Sequence, residues 1–151
     1  MKLKRKHAPP TKGPIAGGVV FFGHAGRLER PDLPGVLYSL VSVGQGTGDS
    51  ANISYRNVGT LSNAQLGPNV TVTLNGCNAG KSWSPGQPAV ALLIAKQLGR
   101  DVKAYQVGMY FSQNPNDTHR GGIGKAPSSL PIYMLPEGAV PKPNPTLFIG
   151  H

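Results

Sequence analysis

Apolar positions along this chain fall into short runs separated by long polar stretches rich in glycine and proline. Gly18 to Phe22 is apolar at successive positions, the pattern of a strand covered on both faces. Val36 to Gly44 (VLYSLVSVG) alternates with period two and predicts a strand. Val70 to Cys77 (VTVTLNGC) is β-branched and predicts a third strand, placed centrally. Ala89 to Gly99 predicts a helix, with Val90, Leu93, Ile94 and Leu98 on one face. Pro88 suits its first position, Gly99 its stop, and Lys96 and Arg100 its negative end.

Val102 to Phe111 predicts a returning strand, so the stretch from Val70 to Phe111 reads as a βαβ unit with a right-handed crossover. The remainder is less regular. Arg27 to Gly35 (RLERPDLPG) reads as a charged, proline-punctuated loop. NISYRNVG reads as a short or edge strand, and LSNAQLGPN as a short helical turn. LPIYML and TLFIG read as short strands or extended arms after a long polar loop. The fold class is α/β with long Gly/Pro-rich loops.

Composition sharpens this picture. The 151 residues include 21 glycines and 15 prolines without a repeating tract, which excludes a collagen-like chain and argues against pure disorder. The net charge is +9, favouring anionic partners. Part of that charge sits in MKLKRKH, where Lys2, Lys4, Arg5 and Lys6 form a proline-followed basic arm. Residues 1–14 are read as this arm and residues 15–151 as one domain. No apolar segment follows the arm, so no signal peptide is expected, and no run approaches the length of a membrane span. Non-specific nucleic-acid contact through the arm is an expected consequence of its charge. Cys77 is the only cysteine, so no intrachain disulfide forms, and a reducing cytoplasm is the expected site of action.

Two predicted strands end alike. VVFF runs into Gly23-His24-Ala25-Gly26, and VTVTL runs into Asn75-Gly76-Cys77-Asn78-Ala79-Gly80. In a parallel sheet both ends lie on the rim where α/β folds bind ligands. A thiolate is a strong nucleophile, and an imidazole beside it can shuttle its proton. Small neighbours let a peptide approach and leave backbone N–H groups to stabilise an oxyanion. Gly80-Lys81-Ser82 is no phosphate loop, because Asn75 stands where its first glycine is required and Pro85 and Pro88 interrupt the helix start. His24, Cys77 and His119 lack zinc-ligand spacing, so neither a metal nor another cofactor is expected.

FFGHAG and LNGCNAG, the latter followed by a helix and a strand, resemble the two core motifs of the caspase-like cysteine peptidases, which include caspases, gingipains and clostripain. They resemble in particular the variant found in bacterial polymorphic toxins. The resemblance covers roughly Ala16 to Phe111. It implies a three-layer fold, with a mostly parallel central sheet and flanking helices. It further implies a cysteine endopeptidase with His24 as general base or acid, Cys77 as nucleophile, and the Ala25 and Cys77 N–H groups in the oxyanion hole. Gly26, Gly76, Asn78 and Trp83 are candidates to line the cleft. Ala25 departs from the family, which has glycine directly after the histidine. Asp101, Asp117 and Glu137 are the available carboxylates for an acidic specificity pocket. The implied partners are a protein or peptide substrate and an immunity protein, and the implied setting is a secreted or delivered bacterial effector. Two other readings stay open: an inactive binding module of the same fold, and a basic toxin acting on nucleic acid. The second finds no His/Asp/Glu cluster suited to metal-assisted hydrolysis.

Overall fold

A computed structural model describes residues 14–46, 48–113, 133–137 and 143–151. The residues beyond these include most of the basic arm, Asp117 and His119. The described chain forms nine strands, one α-helix and one 3-10 turn in the order β1 (Val19–Phe22), β2 (Ala25–Arg30), β3 (Leu33–Ser42), β4 (Asn52–Ser54), the 3-10 turn (Val58–Thr60), β5 (Val72–Asn75), α1 (Val90–Leu98), β6 (Val102–Ala104), β7 (Met109–Ser112), β8 (Tyr133–Pro136) and β9 (Thr146–Phe148).

The principal sheet has the order β1-β5-β6-β9. β1, β5 and β6 run parallel and β9 antiparallel, so the sheet is mixed but mostly parallel. Parallel neighbours need a long connection, and α1 supplies it between β5 and β6. The helix buries Val90, Ala91, Ile94, Ala95 and Leu98, while Leu93 is half-buried instead of sharing that face. Ala89 is its N-cap, which leaves Pro88 just outside the helix and not at its first position. Gly99 takes the left-handed conformation (φ 59°) and donates its N–H to the Ala95 carbonyl, a C-terminal stop that suits glycine.

One face of this sheet carries Val72, Leu74, Val102 and Ala104, which join the α1 side chains and Val41 of β3 in the main core. An apolar cavity of about 240 Å³ lies in this layer, bordered by Val19, Phe21, Val41, Val72 and Ile94. The other face presents Val20 and Phe22, which are 54% and 60% exposed. Among the described residues there is one α-helix, and it packs on one face only. The expected flanking helices on both faces are therefore absent there, and β1 is half-covered, not covered on both sides as its unbroken apolar run predicts.

The chain from Arg27 to Gly35 is not a loop. It forms most of β2, the turn and the start of β3, within an antiparallel sheet of order β2-β3-β4. Local polar chemistry makes the hairpin. Arg30 holds Asp32 across the turn through two side-chain hydrogen bonds of 3.1 and 2.6 Å and lies 4.1 Å over the Tyr55 ring. Gly35 (φ 80°) donates its N–H to the Glu29 carboxylate at 2.8 Å. The predicted strand from Val102 to Phe111 is likewise two strands. The segment between them leaves the sheet, and its carbonyls bind the loop after β5.

Candidate functional site

β1 and β5 are adjacent and parallel, with Phe22 opposite Asn75. Residues leaving the two strands therefore emerge on the same rim. The Gly23 N–H donates to the Asn75 carbonyl at 3.3 Å, extending the ladder one step. Gly76 is buried against this junction. A Cβ there would lie 2.5 Å from the Gly23 oxygen and 3.8 Å from the Ala25 Cβ, so the two loops touch because position 76 has no side chain. His24 and Cys77, 53 positions apart in the chain, flank that contact.

The two side chains differ in setting. His24 is exposed, and its carbonyl accepts the Ser42 N–H at 2.7 Å, which anchors the backbone while the imidazole faces out. Cys77 is half-buried and packs against the cluster of Tyr105, Met109 and Met134. Its sulfur accepts the Met109 N–H at 3.2 Å, and its thiol donates to the Met109 carbonyl. No hydrogen bond joins the imidazole to the sulfur. Burial pushes the neighbouring Tyr105 phenol up from its ordinary value, so it stays neutral.

Backbone bonds fix the loop after Cys77. Asn78 adopts φ 57°, and its N–H reaches the Val107 carbonyl at 2.9 Å. Asparagine is among the few non-glycine residues that tolerate this conformation. The Gly80 N–H reaches the Tyr105 carbonyl at 2.8 Å, and the Ala79 carbonyl accepts the Ala91 N–H in the first turn of α1 at 3.1 Å. The loop is thus tied on one side to the 105–107 bend and on the other to the helix.

The Cys77 N–H makes no hydrogen bond among the described residues. The phase of β2 turns the Ala25 N–H away from β3, because the neighbouring His24–Ser42 and Gly26–Leu40 pairs carry the ladder bonds. Both donors expected for an oxyanion hole are therefore unspent within this part of the chain. Gly26 is half-buried in β2, and a Cβ at this position would meet nothing within 4 Å.

Trp83 is half-buried, and its indole N–H is buried without a hydrogen-bond partner among the described residues. The Arg27 guanidinium lies 4.6 Å and the Lys81 ammonium 4.3 Å from its ring centre. The tryptophan was legible in sequence only as a candidate wall. The two cations, three residues after His24 and four after Cys77, carry no shared spacing or motif that marks them in the sequence.

Asp101 lies away from the His24–Cys77 rim and lines no pocket there. Its carbonyl accepts the Val72 N–H at the start of β5, the end of the strand opposite Cys77, and its carboxylate binds the Gly150 N–H and faces His151 at 3.5 Å. Glu137 lies beside Gly108, near the Met109 backbone that holds the sulfur. Asp117 and His119 lie outside the described residues. Among the described residues no three His, Cys, Asp or Glu side chains gather as metal ligands, and no helix is long and apolar enough to cross a membrane.

These features define a mixed α/β domain with a histidine and a cysteine on one rim of its mostly parallel sheet. No protein-family model, curated protein or solved structure matches the chain.

Proposed function

We propose that this chain is a caspase-like cysteine peptidase domain that cleaves peptide bonds through His24 and Cys77. The observation that carries this reading is the parallel register of β1 and β5, which brings GHAG and GCNAG to one rim with Gly76 seated on the Gly23 carbonyl. In the reaction the Cys77 thiol passes its proton to His24, and the sulfur attacks the substrate carbonyl to form a tetrahedral oxyanion. The Ala25 and Cys77 N–H groups stabilise that oxyanion. His24 then protonates the departing amine, leaving a thioester. Water attacks the thioester with His24 as base, releasing the acid and restoring the thiol. Before the first step the sulfur must leave the Met109 backbone and turn toward the imidazole. Consistent with the family resemblance, the domain acts as a bacterial effector delivered into a reducing cytoplasm, with an immunity protein as its natural antagonist.

The test is incubation with a peptide library, comparing wild type with Cys77→Ala and His24→Ala. Cleavage by wild type that is lost in both variants is the expected result, and equal cleavage by all three overturns the reading. A second reading, a non-enzymatic binding module, is favoured by one observation: both hydrogen bonds of the sulfur go to Met109. It requires that wild type cleave nothing and that Cys77 resist iodoacetamide in the folded state while reacting in urea.

A further inference from the structure

Trp83 is the only tryptophan of the chain, and two cations share its ring. Their distances to the ring centre place the two charges no more than about 9 Å apart, close to the Debye length of ~8 Å at physiological salt. An anion seated at the ring would feel both. The other described arginines are already engaged: Arg30 with Asp32, Arg56 with Asp49, and Arg100 with the carbonyls of Gly67, Leu66 and Gly99. Arg27 and Lys81 form no ion pair among the described residues. Glu29 shares the strand face of Arg27, but its carboxylate is turned to the Gly35 N–H. The ring therefore holds two exposed positive charges with no counter-ion among the described residues.

The strand that carries Arg27 also has an edge that no other described strand pairs with. β2 is the outermost strand of its sheet. The bond from the Ser42 N–H to the His24 carbonyl sets its phase, so Gly26 and Leu28 face β3 while Ala25, Arg27 and Glu29 turn their N–H and C=O groups outward. An extended peptide can add to such an edge through main-chain bonds, with specificity supplied by alternate side chains.

We propose that the outer edge of β2, with Arg27, Lys81 and Trp83, docks an extended acidic protein segment whose carboxylates are held by the two cations. The row of backbone donors and acceptors favours a peptide over a nucleic acid, which has no main chain to complete the ladder. The site shares Ala25 and Trp83 with the candidate cleft but does not use the Cys77 thiol, and its test reads binding and not cleavage, so its failure is distinguishable from failure of the peptidase reading.

Because the tryptophan is unique, its emission reports binding at this spot. The full chain is titrated with an alternating Val-Glu hexapeptide, its Val-Gln counterpart, a backbone N-methylated Val-Glu version, and a single-stranded oligonucleotide of equal charge. Saturable change with the Val-Glu peptide is expected, with the Gln and N-methylated peptides at least about tenfold weaker. The double variant Arg27→Gln/Lys81→Gln, at two exposed positions, is expected to bind the Val-Glu peptide at least about tenfold more weakly. Lys96→Gln/Lys103→Gln, which removes two exposed cations elsewhere, is expected to bind it as wild type does. Circular dichroism confirms that both variants fold. Equal loss in the two double variants, equal binding of the N-methylated peptide, or equally tight binding of the oligonucleotide overturns the proposal.

Discussion

Replacing Gly76 with alanine tests the junction on which the candidate site is built. The backbone there is not in the left-handed region, so alanine meets no conformational barrier. Restricting the unfolded chain alone would stabilise the variant by about 0.4–1 kcal/mol. Against this, the new Cβ lies 2.5 Å from the Gly23 carbonyl oxygen, a backbone atom that cannot swing aside as a side-chain end can. Overpacking of a buried site costs about 1–3 kcal/mol. The clash wins, and the expected net loss is about 1–2 kcal/mol. Gly26→Ala is the matched control, because nothing lies within 4 Å of its Cβ position. It is expected to be neutral or stabilising by up to about 1 kcal/mol. Urea unfolding reads the difference. With a slope of about 2 kcal/mol/M, the Gly76→Ala midpoint falls by roughly 0.5–1 M while the slope is unchanged. A Gly76→Ala midpoint equal to or above that of Gly26→Ala refutes the tight apposition of the two loops. In the expected case the same clash separates His24 from Cys77, and any peptidase activity falls with stability.

Three further outcomes are expected. Arg100→Ala strips the partners from the Gly67 and Leu66 carbonyls, held at 2.6 and 3.0 Å, and lowers stability by about 1–3 kcal/mol. A wild-type urea midpoint would show these bonds to be dispensable. Val41→Ile adds a methylene beside the 240 Å³ apolar cavity and raises stability by about 0.8 kcal/mol, read as a higher midpoint, whereas a lower one would mean the cavity cannot accept it. The Arg30 guanidinium holds the Asp32 carboxyl below its ordinary 3.8 through their hydrogen bonds. Its stabilising effect is present above 3.8 and is lost as pH falls through the lower folded value. The gap between wild type and Asp32→Asn in urea midpoint is therefore expected to shrink from pH 7 to pH 3, and a constant gap contradicts the pairing.

Local pattern carried much of this fold. β1, β5 and α1 are legible because each has a run long enough for periodicity to show, and Gly99 marks the helix end because only a left-handed residue closes it there. The meeting of the two motif loops was also legible, since adjacent parallel strands with matched ends must open on one rim. The β2–β3 hairpin was hidden, because its charges and prolines imitate a loop until Arg30 and Asp32 are seen to pair across the turn. The break between β6 and β7 was hidden for another reason. Tyr105 and Val107 look like strand residues, and only the tertiary demand for their carbonyls by Gly80 and Asn78 draws them out of the sheet.

What the amino-acid order determined alone is therefore the set of strongly periodic elements and the rim on which His24 and Cys77 emerge. Tertiary structure alone decided that the sulfur bonds to Met109, that Val20 and Phe22 lie exposed, and that Arg27 and Lys81 share one indole. The physical reason is range. Periodicity and caps act within a few residues, whereas these outcomes depend on which distant backbone or side chain arrives to occupy the space.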